Sequence, residues 1–142
     1  MTEAIESYAA FSPMDVTGIH FDLPDVSPVV YLTETDAPYR PLALHMALPD
    51  ANSIAYAWRK IDAPRPNAHD VATAVLQNLR ADLICVRIFD YSNGVYFAEV
   101  DVMGAQGRFS IPCRPSDGVA LALRQTVPAP ILVAEDLLEP LD

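Results

Sequence analysis

Two short stretches of this chain share one pattern. Arg65-Pro66-Asn67-Ala68-His69-Asp70 and Arg114-Pro115-Ser116-Asp117 each set an Arg-Pro pair ahead of a capping residue and an acid. Arginine offers a planar fork of donors to phosphate, a carboxylate offers oxygen to a proton or a cation, and imidazole exchanges protons near neutral pH. If the two stretches converge, two arginines, two aspartates and a histidine share one site. Phosphoryl chemistry suits that set. Arg65 and Arg114 would clamp the phosphate, and His69 would serve as base or ligand. Asp70 and Asp117 would hold a divalent metal such as Mg²⁺ or Mn²⁺. An architectural reading accounts for the same residues equally well. Proline fixes the backbone at a helix start, Asn67 and Ser116 satisfy free amides, and the acids complement the helix dipole. Nothing in the spacing requires the two stretches to meet.

Other chemistry is sparsely represented. The sequence has no glycine-rich phosphate loop, no HExxH, no GxSxG and no cysteine–histidine zinc spacing. Of the three histidines, His20 and His45 fall in predicted strands, where a structural role is expected. Cys85 and Cys113 also lie in predicted strands and read as buried thiols rather than a disulfide or metal pair.

The elements that would position these residues can be read from periodicity and punctuation. Residues 1–12 are polar and expected to fray, leaving one domain over 13–139. Met14 to Leu23, Val29 to Leu32 and Tyr39 to Met46 read as strands. From Pro49 the spacing turns helical, with Ala51, Ile54, Trp58 and Ile61 on one face. Asn67 reads as the N-cap of a second helix, with Asp70 at its third position, burying Val71, Val75 or Leu76, and Leu79.

Leu83 to Tyr91 and Val95 to Met103 form the strongest hairpin signal, around Ser92-Asn93-Gly94. A two-residue Asn-Gly turn pairs Ile88 with Glu99 and Val86 with Asp101 and mixes the faces. A three-residue loop with Gly94 left-handed pairs Ile88 with Ala98, Val86 with Val100, Ile84 with Val102, Phe89 with Phe97 and Arg87 with Glu99. The second register separates apolar from polar, so the three-residue loop is expected. A strand over Arg108 to Ile111 follows, then a helix over Gly118 to Gln125, apolar nearly all round and expected to be central. Ile131 to Val133 is the last strand, before a short acidic helix. The fold class is α+β: a single domain with a mixed, mostly antiparallel sheet and three main helices packed on it. Met103 and Trp58 sit on predicted core faces.

Composition bounds the partners. Of 142 residues, 51% are hydrophobic and 20% charged, enough for a substantial core without staples. Nineteen acids against nine bases give a net charge of −10, which disfavours nucleic acid because neutralising phosphates supplies most of the affinity. A carboxylate-bound cation would supply positive charge locally. The first residues are acidic where a signal peptide is basic, and no apolar run approaches a membrane span, so a cytoplasmic protein without membrane contact is expected.

Four segments carry a resemblance. Arg65-Pro66 with His69-Asp70-Val71, Asp90 to Ala98, Arg114 to Ala122, and Pro130 to Glu135 occur in the order seen in the bifunctional nuclease family, which the chain resembles from about Met14 to Leu138. The resemblance implies an α+β domain, a homodimer or higher homo-oligomer, and nuclease activity on DNA and RNA. By motif match, Arg65, His69, Asp70, Arg114, Ser116 and Asp117 are the candidates. Asp50 joins them as a third metal ligand where the family usually has a Glu-Ala at a helix start, and Ser116 would contact the substrate. This chain departs from the family at Pro112, in place of an acid, and at His45-Met46-Ala47, in place of Trp-Ile-Gly. Two functions are therefore weighed: a metal-dependent nuclease, and a non-catalytic regulatory dimer that binds a protein or a small anion through the same arginines.

Overall fold

The structure, a computed structural model, describes residues 8–21 and 27–140. Seven strands form one sheet: β1 (Phe11–His20), β2 (Val29–Glu34), β3 (Pro41–His45), β4 (Asp82–Ser92), β5 (Val95–Gly104), β6 (Gly107–Cys113) and β7 (Ile131–Ala134). Their order is β3-β2-β1-β7-β4-β5-β6. Every pairing is antiparallel except β4 with β7. Among the described residues three helices, α1 (Leu48–Arg59), α2 (Ala68–Asn78) and α3 (Pro115–Leu123), accompany it, and a 3₁₀ turn over Glu135–Leu137 follows β7. The α+β class with a mixed, mostly antiparallel sheet is confirmed. β1 starts at Phe11 rather than Met14, so Phe11 and Ser12 are paired with β7, while the expected fraying of residues 1–7 lies outside the described residues.

Among the described residues, helices cover one face of the sheet. That face carries Val86, Ile88, Ala98, Val100, Ile131 and Val133, all buried. As its apolar composition demands, α3 is central, touching α1, α2, β4 and β5. Gly118 is required by close approach: a Cβ there would lie 2.3 Å from Val86 Cγ2 and 3.3 Å from Cys113 Sγ. Glycine at this point lets the start of α3 lie directly on the sheet.

The hairpin corrects the expected loop. Ser92 pairs with Val95, and Asn93 (φ 52°) and Gly94 (φ 80°) are both left-handed, so the turn has two residues and is of the I′ type that Asn-Gly favours. The segregated register still holds in the centre, with Ile88 opposite Ala98 and Arg87 opposite Glu99. The extra residue sits in the strand instead: Phe89 is a bulge, so Asp90 rather than Phe89 faces Phe97. A second irregularity at Ile84 puts Leu83, not Ile84, opposite Val102.

Three packing expectations are also corrected. In α1, Ala51 and Ile54 are buried and the polar Ser53 lies on the buried face, but Trp58 is exposed, as is Ile61, which lies beyond the helix end. In α2, Val71, Val75 and Leu79 point outward, while Thr73 is buried and His69 and Leu76 are half-buried. The phase of α2 is set by polar bonds from its first turn into α1 and α3, which outweigh the apolar stripe. Met103 lies on the helix-free face and is exposed.

Candidate functional site

The first turns of α1, α2 and α3 converge, and each brings a polar side chain. Asn67 caps α2 in a full capping box: its side chain accepts from the Asp70 amide at 3.0 Å, and Asp70 accepts from the Asn67 amide at 2.9 Å. That box fixes the start of α2 and aims His69 inward, between α1 and α3.

His69 is held at both ring nitrogens. Nδ1 lies 2.7 Å from Ser53 Oγ, and Nε2 lies 2.8 Å from Asp117 Oδ1. Counting donors fixes the proton positions. Ser53 Oγ already accepts from Asn67 Nδ2 at 2.8 Å and from Arg124 Nη2 at 3.0 Å, which uses both lone pairs. Its own proton therefore goes to Nδ1, and the imidazole is the neutral tautomer with its proton on Nε2, donated to Asp117. The serine–histidine–aspartate line has a catalytic outline, but Ser53 is 3% exposed and fully engaged. Ser53 orients the ring and does not meet a substrate.

Arg114 forms the outer layer. Its guanidinium is forked between two carboxylates: Nε and Nη2 donate to Asp117 at 2.9 and 2.8 Å, and Nη1 and Nη2 donate to Asp50 at 3.0 and 3.1 Å. The Arg114 side chain is 62% exposed, so the face of the fork away from the acids is open to solvent. The hydrogen bonds from Arg114, aided by His69, hold the Asp117 carboxyl below the usual range against the opposing effect of burial. The acids in turn raise Arg114.

Asp70 belongs to a separate arm. It accepts from Arg124 Nε at 2.9 Å, and this bond, with the Asn67 amide, lowers its pKa. Arg124 also reaches the Ser53 carbonyl and hydroxyl, so it ties α1, α2 and α3 together.

The predicted residues thus divide. His69, Asp117, Arg114 and Asp50 form one connected cluster, and Asp70 joins it only through Asn67, Arg124 and Ser53. Arg65 is exposed and makes no hydrogen bond or ion pair among the described residues. Ser116 is buried beside Arg114 and lines an adjoining cavity. The three candidate metal ligands do not converge: among the described residues no three His, Cys, Asp or Glu side chains are grouped to hold a cation. Asp50 and Asp117 spend their oxygens on Arg114, and Asp70 spends its own on Arg124 and Asn67, a donor set that fits arginine rather than a metal shared by all three. Burial pushes the Cys85 and Cys113 thiols up, to about 12 and about 11, as expected of inert thiols.

Ser53 and Arg124 were missed by sequence reasoning. Ser53 had a usable signal, as a polar residue between Ala51 and Ile54 on a face that should be apolar. Arg124 reads only as a basic residue closing a helix. The departures from the family pattern also have places: His45, Met46 and Ala47 line the cavity beside Asp50 and Arg114, whereas Pro112 is exposed on β6.

A one-sided α+β sheet whose helix starts meet in an arginine–carboxylate–histidine cluster defines the class. The bifunctional nuclease domain matches residues 30–141, and the chain belongs to that family. It is also 33% identical over 123 residues to uncharacterized proteins of Mycobacterium tuberculosis strains CDC 1551 and H37Rv, covering 87% of this chain and 71% of theirs. No helix among the described residues is long and apolar enough to cross a membrane.

Proposed function

We propose that the protein is a nuclease that hydrolyses phosphodiester bonds at the His69–Asp117–Arg114 cluster. One observation carries the reading: an arginine fork with an open face stands beside a carboxylate oriented by a neutral imidazole, and family membership points to the same chemistry. A phosphate docking on the open face of Arg114 would draw the guanidinium from Asp117 and free that carboxylate from the cation that lowers its basicity. Water would then attack phosphorus and pass its proton to Asp117 while His69 Nε2–H steadies the carboxylate. As the new P–O bond forms, the ester bond breaks, and the leaving oxygen takes a proton from solvent. Arg114 meets the charge that develops on the phosphoryl oxygens. A divalent metal enters the proposal as a variable of the test, and no step passes through it.

A second reading keeps the same residues as an anion-binding module without turnover. Its support is that Asp50, Asp70 and Asp117 are each satisfied by an arginine in this structure. The deciding assay follows cleavage of single-stranded DNA, double-stranded DNA and RNA with Mg²⁺, with Mn²⁺ and with chelator. Asp117→Asn and His69→Gln variants, checked for fold, run alongside. The nuclease reading requires cleavage that drops by about a hundredfold or more in Asp117→Asn. Absent cleavage, or cleavage equal in the variants, overturns it, and retained phosphate binding would then favour the module.

A further inference from the structure

A cavity of about 550 Å³ opens beside the cluster, between the Ala43–Asp50 segment, the start of α3 and the tip of the β4–β5 hairpin. Its walls differ in chemistry. On one side Tyr91 and Tyr96 form a cross-strand pair with ring centroids 4.5 Å apart, and Tyr91 is half-exposed. On the other stand Asp50, Arg114 and Ser116.

Two features mark this space as built to receive something. The first is the bulge at Phe89. In a regular strand Tyr91 would alternate onto the face opposite Ile88; the extra residue returns it to the helix side, opposite Tyr96. The second is Ser116. It is 6% exposed, yet its hydroxyl makes no hydrogen bond among the described residues. Among the described residues no buried side-chain oxygen or nitrogen is both sealed from solvent and unpartnered, so this hydroxyl opens onto the cavity it lines. A buried hydroxyl left open in this way has its bonding capacity available to a ligand.

We infer that this cavity takes one unpaired nucleobase of a flexible single strand. The base stacks on Tyr91, with Tyr96 behind it, Ser116 Oγ bonds an edge heteroatom, and the flanking phosphate falls to Arg114. Stacking on an aromatic ring tolerates any base. One arginine is enough here, because a single inserted nucleotide does not require the basic track that a chain of net charge −10 lacks. A duplex keeps its bases paired and must first be opened. This inference rests on the nuclease reading only for where the phosphate sits.

Binding, measured without turnover, tests it. Fluorescence anisotropy of a labelled single-stranded oligonucleotide and of the blunt duplex of the same sequence is followed in chelator. Wild type, Tyr91→Ala, Tyr91→Phe and Ser116→Ala are compared. The single strand should bind about tenfold or more tighter than the duplex; Tyr91→Ala should lose roughly tenfold and Tyr91→Phe little. Equal binding of duplex and single strand, or Tyr91→Ala binding like wild type, overturns the inference. Cleavage by wild type and by Tyr91→Ala, assayed separately, keeps the two readings distinguishable. Single-strand binding that needs Tyr91, without cleavage by wild type, upholds the base site and sinks the nuclease. Cleavage indifferent to Tyr91 does the reverse.

Discussion

Two polar clusters lie on opposite faces of the sheet and are built on opposite plans. On the helix-free face Asp101, 2% exposed, sits at the centre of a closed network. Arg87 donates to it at 3.0 and 2.8 Å, Arg108 at 3.1 Å and Ser110 at 2.7 Å, with Tyr8 adding its hydroxyl. Burial alone would raise this carboxyl, but the hydrogen bonds from Arg87 and Ser110 and the charge of Arg87 hold it below the usual range. Arg87 Nη2 also donates to Glu99 at 2.8 Å. On the helix side Asp117 is about a quarter exposed, Arg114 is open, and Ser116 keeps a free hydroxyl. The first cluster closes on a buried carboxylate and reads as architecture; the second is half-open beside a cavity, with an exposed guanidinium and a hydroxyl that makes no hydrogen bond among the described residues. Charged residues by themselves therefore do not mark a site. Unspent capacity does.

The largest expected effect tests the closed side. Asp101→Ala strands Arg87 and should cost about 3–5 kcal/mol in urea denaturation, the usual result of removing one member of a buried ion pair. Asp117→Asn, whose charged partner Arg114 is 62% exposed, should cost about 1 kcal/mol while abolishing any cleavage. If the two variants are equally destabilised, the contrast between the clusters is lost. Next in size is Gly118→Ala. The added methyl meets Val86 at 2.3 Å and must lift the start of α3, at about 1–3 kcal/mol. Because Arg114 and Asp117 ride on that turn, nucleic-acid affinity should fall together with the denaturation midpoint. Stability lost with binding intact would show that the site does not depend on the seat of α3.

Acid titration sharpens a third point, away from both clusters. Glu34 on β2 is 5% exposed, accepts from Arg40 and Ser12, and has its pKa lowered from 4.5 to about 2, chiefly by the Arg40 bond. A depressed carboxyl stabilises the fold fully above its unfolded value, and that share is lost as pH falls through the folded one. The protein should thus lose stability steadily between pH 4.5 and about 2, and Glu34→Gln should flatten that part of the curve. An unchanged acid limb in the variant would assign the loss to Asp101, Asp70 and Asp117 instead.

What was legible in the sequence follows a physical divide. Elements set by local chemistry could be read: the Asn67–Asp70 capping box, the Asn93-Gly94 turn residues, and the central helix betrayed by its apolar run. The convergence of the two Arg-Pro motifs was visible as a possibility, and His69, Asp117 and Arg114 do meet. Nothing local could reveal which residues would be drawn away. Arg65 and Asp70 look equivalent to Arg114 and Asp117 in sequence, yet Asp70 is claimed by Arg124, 54 residues distant, and Arg65 stays in solvent. The hairpin loop was misread because the face-separating register has two solutions, a longer turn or a bulge, with identical central pairs.

The smallest predicted effects bear on α2, where a polar network overrode hydrophobic patterning. His69, Asn67 and Asp70 fix the rotation of the helix, so the stripe Val71, Val75 and Leu79 faces outward, 57%, 50% and 69% exposed. If that rotation is set by polar bonds, Asn67→Ala should cost about 1 kcal/mol through the lost cap. It should also perturb the His69 ring resonances by NMR, because Ser53 loses a donor. Val71→Gln removes an apolar side chain that contributes little burial and should shift stability by less than about 0.5 kcal/mol. A loss of about 2 kcal/mol or more in Val71→Gln, the scale of a truncated core residue, would mean that the stripe is covered in solution. The open helix face would then have to be added to the list of surfaces with capacity to spare.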